Sequence, residues 1–159
     1  MDWLGISLNI SIWVLPVLIA VIFHEVAHGW MAWRLGDDTA KRLGRLSLNP
    51  LCHIDPFGTL LLPGLMLLAS GGQMVLGFAK PVPVNFSALN YPQRDMVLVA
   101  LAGPVSNLLL ALLSAMAIHL LNQLQGDVFQ WVGYNLVNSI KINLLLCVFN
   151  LLPIPPLDG

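Results

Sequence analysis

The stretch ISIWVLPVLIAVIFHEVAHGWMAW, residues 10–33, is apolar over its first fourteen positions and then carries His24, Glu25 and His28 within five. A helix needs about 20 predominantly apolar residues to cross a bilayer, and this run is long enough. An ionisable side chain near the bilayer centre costs about 2.5 to 3.5 kcal/mol on insertion scales, so three of them together point to chemistry rather than packing. Their order is H-E-x-x-H. On a helix, residues four apart differ by about 40° in azimuth and one turn along the axis, so both imidazoles can reach one metal ion from the same face. The intervening glutamate can contact the metal's water without ligating it and serve as general base. His24 and His28 are therefore candidate metal ligands, and Glu25 the candidate catalytic base.

The rest of the chain agrees with a membrane setting. Its 159 residues are 57% hydrophobic and 9% charged, with mean hydropathy +0.80, more apolar side chain than one small soluble core can hide. Net charge is -1 and no basic cluster is interleaved with aromatics, which excludes the electrostatic footprint of a nucleic-acid binder. The start Met1-Asp2-Trp3 lacks the charged region of a secretory signal, so the first apolar segment is expected to be retained. Cys52 and Cys147 make no ligand pattern and read as reduced bystanders. Of the eight acidic residues seven are aspartates, and the one glutamate, Glu25, lies inside an apolar run.

Three segments are expected to span: Ile10 to Trp33, Met96 to Leu120 and Trp131 to Leu152, with Trp13, Trp30, Trp33 and Trp131 near their ends as interfacial anchors. A fourth apolar stretch, Thr59 to Ala79, is broken by Pro63, Gly64 and Ser70-Gly71-Gly72. If it enters and leaves on one side, Arg34, Lys41, Arg42, Arg45, Lys80 and Arg94 share one face, while the ends near Asp2 and Asp127 hold no Lys or Arg. The positive-inside rule makes that basic face cytoplasmic. The fold expected is an all-α polytopic membrane protein: three core transmembrane helices, a re-entrant apolar segment and short β-like loops. In this topology the first and last spans end on the same side.

A zinc site built on H-E-x-x-H takes a third protein ligand and keeps a fourth position for water. His53, His119 and the aspartates are open candidates. Asp158 is favoured, because Asn150-Leu-Leu-Pro-Ile-Pro-Pro-Leu-Asp158-Gly159 unwinds at its prolines after the last span. His119 reads as an interfacial residue and His53 as a loop residue. Lys141 is expected to face the bundle interior or to snorkel. With Asn135, Asn138, Ser139 and Asn143 it suggests a polar face lining water access.

Four ordered elements, His24-Glu25-Val26-Ala27-His28, Gly77-Phe-Ala-Lys80-Pro81-Val-Pro83-Val-Asn85, Ala102-Gly103-Pro104-Val-Ser-Asn107 and Asn150 through Gly159, resemble the signature of the site-2 proteases, intramembrane zinc metalloproteases. Leu48-Asn-Pro50 and His53-Ile-Asp55-Pro56-Phe-Gly58-Thr59 place the resemblance nearest the short prokaryotic members, without a PDZ-sized insertion. The resemblance implies one zinc per chain held by His24, His28 and Asp158, and hydrolysis of peptide bonds in transmembrane proteins or peptides within or near the lipid bilayer. It implies a prokaryotic cell membrane location with the active site toward the cytoplasmic face, and substrate or oxyanion contacts for Asn107 and Asn150. The Gly71 to Asn85 region, rich in Gly and Pro, is expected to pair with an extended substrate by strand addition. Family chains normally continue past Asp-Gly, so residues 1–159 are expected to be a single membrane-embedded core cut short at its C-terminus. Two other readings stay open: a silent homologue that retains membrane partners, and a metal transporter, which would want ligands leading to both faces.

Overall fold

The computed structural model describes residues 3–69, 80–121 and 126–152. The chain begins with α1 (Trp3–Arg34), followed by the single turn α2 (Thr39–Arg42), a 3₁₀ turn (Pro50–His53), a π-helical turn (Pro56–Leu61) and α3 (Leu62–Ala69). A 3₁₀ turn (Phe86–Ala88) then leads into α4 (Pro92–Leu121) and α5 (Asp127–Asn150). Three helices, over Ile10–Arg34, Pro92–Leu121 and Asp127–Asn150, are long and apolar enough to cross a membrane. They match the three expected spans. Large apolar side chains such as Leu109, Leu113 and Met116 point outward, as lipid contact requires. Residues 70–79 lie outside the described residues, and with them the choice between a spanning and a re-entrant fourth segment. Among the described residues there is no strand; 80–85 run without helix or ladder.

Hydrogen bonds between helices set the bundle's register. Pro16 lies inside α1 and has no N–H, so the Ile12 carbonyl one turn back loses its usual partner. The Asn138 side-chain amide of α5 donates to that carbonyl at 2.8 Å. Just below, the Trp131 indole N–H donates to the Ser11 hydroxyl at 2.9 Å. The hydroxyls of Ser114 on α4 and Ser139 on α5 meet at 2.9 Å. These pairs run α5 parallel to α1 and antiparallel to α4. Both helices rise about 1.5 Å per residue, so Asn150, the last residue of α5, stands at about the level of the His24–His28 turn.

The asparagines on the polar face of α5 turn inward. Asn135, Asn138 and Asn143 are buried against the other helices, and the Asn135 and Asn143 amides also bond back to Trp131 and Ser139 carbonyls at 2.9 and 2.8 Å. Lys141 is exposed on the other side of the helix. With little hydrophobic drive between helices in lipid, the Asn138 amide, which reaches the Ile12 carbonyl of α1, serves as interhelical glue.

Beyond α1 the chain is tied back onto it. The Asp37 carboxylate, fully buried, accepts from the Asn85 N–H at 2.6 Å, the Thr39 N–H at 2.9 Å and the Thr39 hydroxyl. The Asn90 N–H donates to the Leu35 carbonyl and the Lys80 N–H to the His53 carbonyl, each at 2.9 Å. Burial pushes the Asp37 carboxyl up, but the bonds from the Thr39 hydroxyl and the Asn85 and Thr39 N–H groups, with the Arg42 charge, outweigh it and hold its pKa below the usual range. The result fastens residues 80–90 along the end of α1.

Candidate metal centre

The helical spacing of α1 brings the Nε2 atoms of His24 and His28 to 3.0 Å, with the rings crossed at 82°. Both imidazoles are buried. The face opposite them comes from α4, where Val99, Gly103 and Asn107 recur every four residues. The Val99 carbonyl lies 2.7 Å from His28 Nδ1. A carbonyl only accepts, so His28 carries its proton on Nδ1 and turns an acceptor Nε2 toward His24. Asn107 Oδ1 lies 3.0 Å from His24 Nδ1. Gly103 sits between them, and a Cβ there would stand 2.3 Å from His28 Nε2 and 2.7 Å from His24 Nε2. Helix α4 can come this close only because position 103 has no side chain.

This donor set fits zinc. Two nitrogens on one tetrahedral zinc, each at about 2.0–2.1 Å, stand about 3.3 Å apart, near the separation found here. Each ring also has an oxygen acceptor at Nδ1, as metal-bound histidines almost always do. Among the described residues no third His, Cys, Asp or Glu joins the pair. Asp158 lies outside the described residues. His53 is held elsewhere, its Nε2 donating to the Ser47 carbonyl at 2.8 Å, and His119 is exposed near the far end of α4.

Glu25, half-buried, faces a cleft of about 530 Å³ that it lines with His28, Pro81, Val82, Met96 and Ala100. Its Oε2 accepts from the Val82 N–H at 2.7 Å. Pro81 and Pro83 have no N–H, so Val82 is the single main-chain donor of that tripeptide, and it is aimed at the carboxylate. Val82 reaches so far because Gly29, one turn beyond Glu25, is bare: a Cβ there would meet Val82 Cγ1 at 2.6 Å. Asn107 is fully buried and faces His24. The Asn150 amide donates to the Leu146 carbonyl of its own helix at 2.9 Å.

The sequence alone did not single out Gly29, Val82 or Asp37 for the site. Gly29 carries a local signal, a small residue four positions after Glu25 on the same face. Val82 carries another, a lone donor between prolines. Nothing near Asp37 in sequence foretells its reach to Asn85.

The fold and site together define a helical protein with three helices long and apolar enough to cross a membrane, carrying a buried pair of imidazoles beside a carboxylate. Over 150 residues, 92% of this chain and 64% of the relative, it is 41% identical to "Putative zinc metalloprotease YwhC" of Bacillus subtilis. It is 35% identical to "Putative zinc metalloprotease Rip2" of Mycolicibacterium smegmatis and 37% identical to the Mycobacterium tuberculosis protein of that name, each over 142 residues, 89% of this chain and 52% of the relative. No family model and no solved structure matches the chain. Identity at this level over most of its length makes the chain a homologue of these proteins, consistent with the short site-2 protease-like family that its motifs resemble. It spans between half and two thirds of the length of these relatives.

Proposed function

We propose that this protein is an intramembrane zinc metalloprotease that hydrolyses peptide bonds of transmembrane substrates. The observation that carries the proposal is the convergence of two buried imidazole Nε2 atoms at 3.0 Å, beside a carboxylate that opens on a cleft, within a membrane-spanning helix. His24 and His28 hold the metal, and Asp158, eight residues along the chain from the end of α5, supplies the third ligand, as the family resemblance implies. When bound, zinc polarises the scissile carbonyl and brings a water molecule within reach of deprotonation at neutral pH. Glu25 takes the proton of the attacking water and passes it to the leaving amine. The Val82 N–H fixes one carboxylate oxygen, which directs the other toward the cleft. Asn150 is available to the substrate backbone or the oxyanion at the metal's level, and the site opens toward the cytoplasmic face, where the basic loops gather.

Glu25→Gln tests the assignment. Peptide hydrolysis by the detergent-solubilised protein should fall by at least about 100-fold while bound zinc stays at the wild-type level. Wild-type turnover by this variant would remove Glu25 from the mechanism.

A further inference from the structure

The structure assigns Asn107 a positioning role: its side-chain oxygen takes the Nδ1–H of His24 and so presents His24 Nε2 to the metal. The inference rests on the metal-site reading above.

An imidazole can bind metal through Nε2 only when its proton is on Nδ1, and the group facing Nδ1 decides which tautomer the ring adopts. For His28 that group is the main-chain carbonyl of Val99, which no substitution can convert into a donor. For His24 it is a side chain, Asn107 Oδ1 at 3.0 Å. The two acceptors are two helical turns apart on α4 and flank the bare Gly103, so one face of α4 orients both rings that one face of α1 displays.

The burial of the amide supports this role over a substrate contact. Asn107 is fully buried and is not among the residues lining the cleft. Its Nδ2 is also buried and has no hydrogen-bond partner among the described residues. Leaving a buried N–H₂ unpaired is costly, and turning the amide over would give that donor the His24 nitrogen as acceptor. The turned amide would put the His24 proton on Nε2 and block ligation. The orientation with Oδ1 on His24 is the one that leaves Nε2 free for a metal. Only the oxygen matters in this account, so aspartate should replace asparagine and a residue of similar shape without an acceptor should not.

The test is zinc affinity, measured on the detergent-solubilised protein by competition with a chromophoric chelator, for wild type and for Asn107→Asp, Asn107→Ala and Asn107→Leu. Loss of an outer-shell partner of a metal-bound histidine typically costs 10- to 100-fold in affinity. Asn107→Ala and Asn107→Leu should show that loss, and Asn107→Asp should bind zinc within tenfold of wild type or more tightly. Leucine fills the volume of the amide, so it keeps the test open if the alanine variant does not accumulate. The cobalt-substituted protein adds a second readout: its visible spectrum should shift in the alanine and leucine variants and hold in the aspartate variant. Wild-type affinity in Asn107→Leu would overturn the inference, as would equal loss in Asn107→Asp and Asn107→Leu. A raised KM with unchanged zinc affinity would return Asn107 to the substrate. If wild-type protein bound no zinc, or His28→Ala left binding intact, the metal reading itself would fail, a result distinct from any of these.

Discussion

A methyl group at position 103 would press on both imidazoles at once, 2.3 Å from one Nε2 and 2.7 Å from the other. Neither ring can retreat, because each is held at its other nitrogen by α4 itself. Gly103→Ala is therefore expected to leave helix content unchanged and to lower zinc occupancy at least tenfold, as metal analysis beside circular dichroism would show. Occupancy equal to wild type would mean that α4 does not lie against the metal ligands. The His-Glu-His set was legible in the sequence because its geometry is local: one helical turn fixes which side chains share a face. Gly103 stood out only as part of the Ala102 to Asn107 element. Which neighbour it meets depends on the register between α1 and α4, and sequence spacing does not encode that register. Asn107 was singled out through the family resemblance, as a substrate or oxyanion contact, and its packing against His24 was not foreseen.

Among the elements, α1 and α5 are joined where α1 is locally broken. Pro16 strands the Ile12 carbonyl and Asn138 supplies the missing donor. Hydrogen bonds between membrane helices average about 0.6 kcal/mol and reach about 1.7. Asn138→Ala should cost about 1 kcal/mol in unfolding free energy in the wild-type background and nearly nothing after Pro16→Ala, which restores the helical N–H. An equal cost in both backgrounds would contradict the coupling. The partners of the amide-rich face of α5 were not legible, because an asparagine that faces a carbonyl and one that faces water look alike in sequence.

The segment 80–90 depends on a different tie. Asp37→Ala leaves three donors without their acceptor and should cost about 2–3 kcal/mol, freeing residues 80–90 to exchange while zinc stays bound. Because the folded pKa of Asp37 is lowered, the tie adds stability above the usual carboxylate range and loses it as pH falls through the lowered value. Amide exchange at Asn85, corrected for its intrinsic rate, should show steady protection from pH 8 to 5 and lose it only below about pH 4. Protection already falling at pH 6 would point to another group.

For the whole molecule, three spans and their order followed from length and hydropathy, since the bilayer imposes both. The parallel course of α1 and α5 followed from counting charges on the loops, and the Ser11, Ile12, Trp131 and Asn138 contacts agree with it. Hydropathy could not order the broken segment between α1 and α4, whose prolines and glycines fit several paths. The chain's motifs resemble a family, its relatives bear the name of putative zinc metalloproteases, and α1 brings two imidazoles and a carboxylate to one place. The central claim is that His24, His28 and Asp158 hold one zinc between them. Metal analysis of the purified protein, wild type against His28→Ala and Asp158→Ala, tests it most directly. The account predicts about one zinc per chain in wild type and loss of most of it in both variants. Zinc unchanged by either substitution would contradict it.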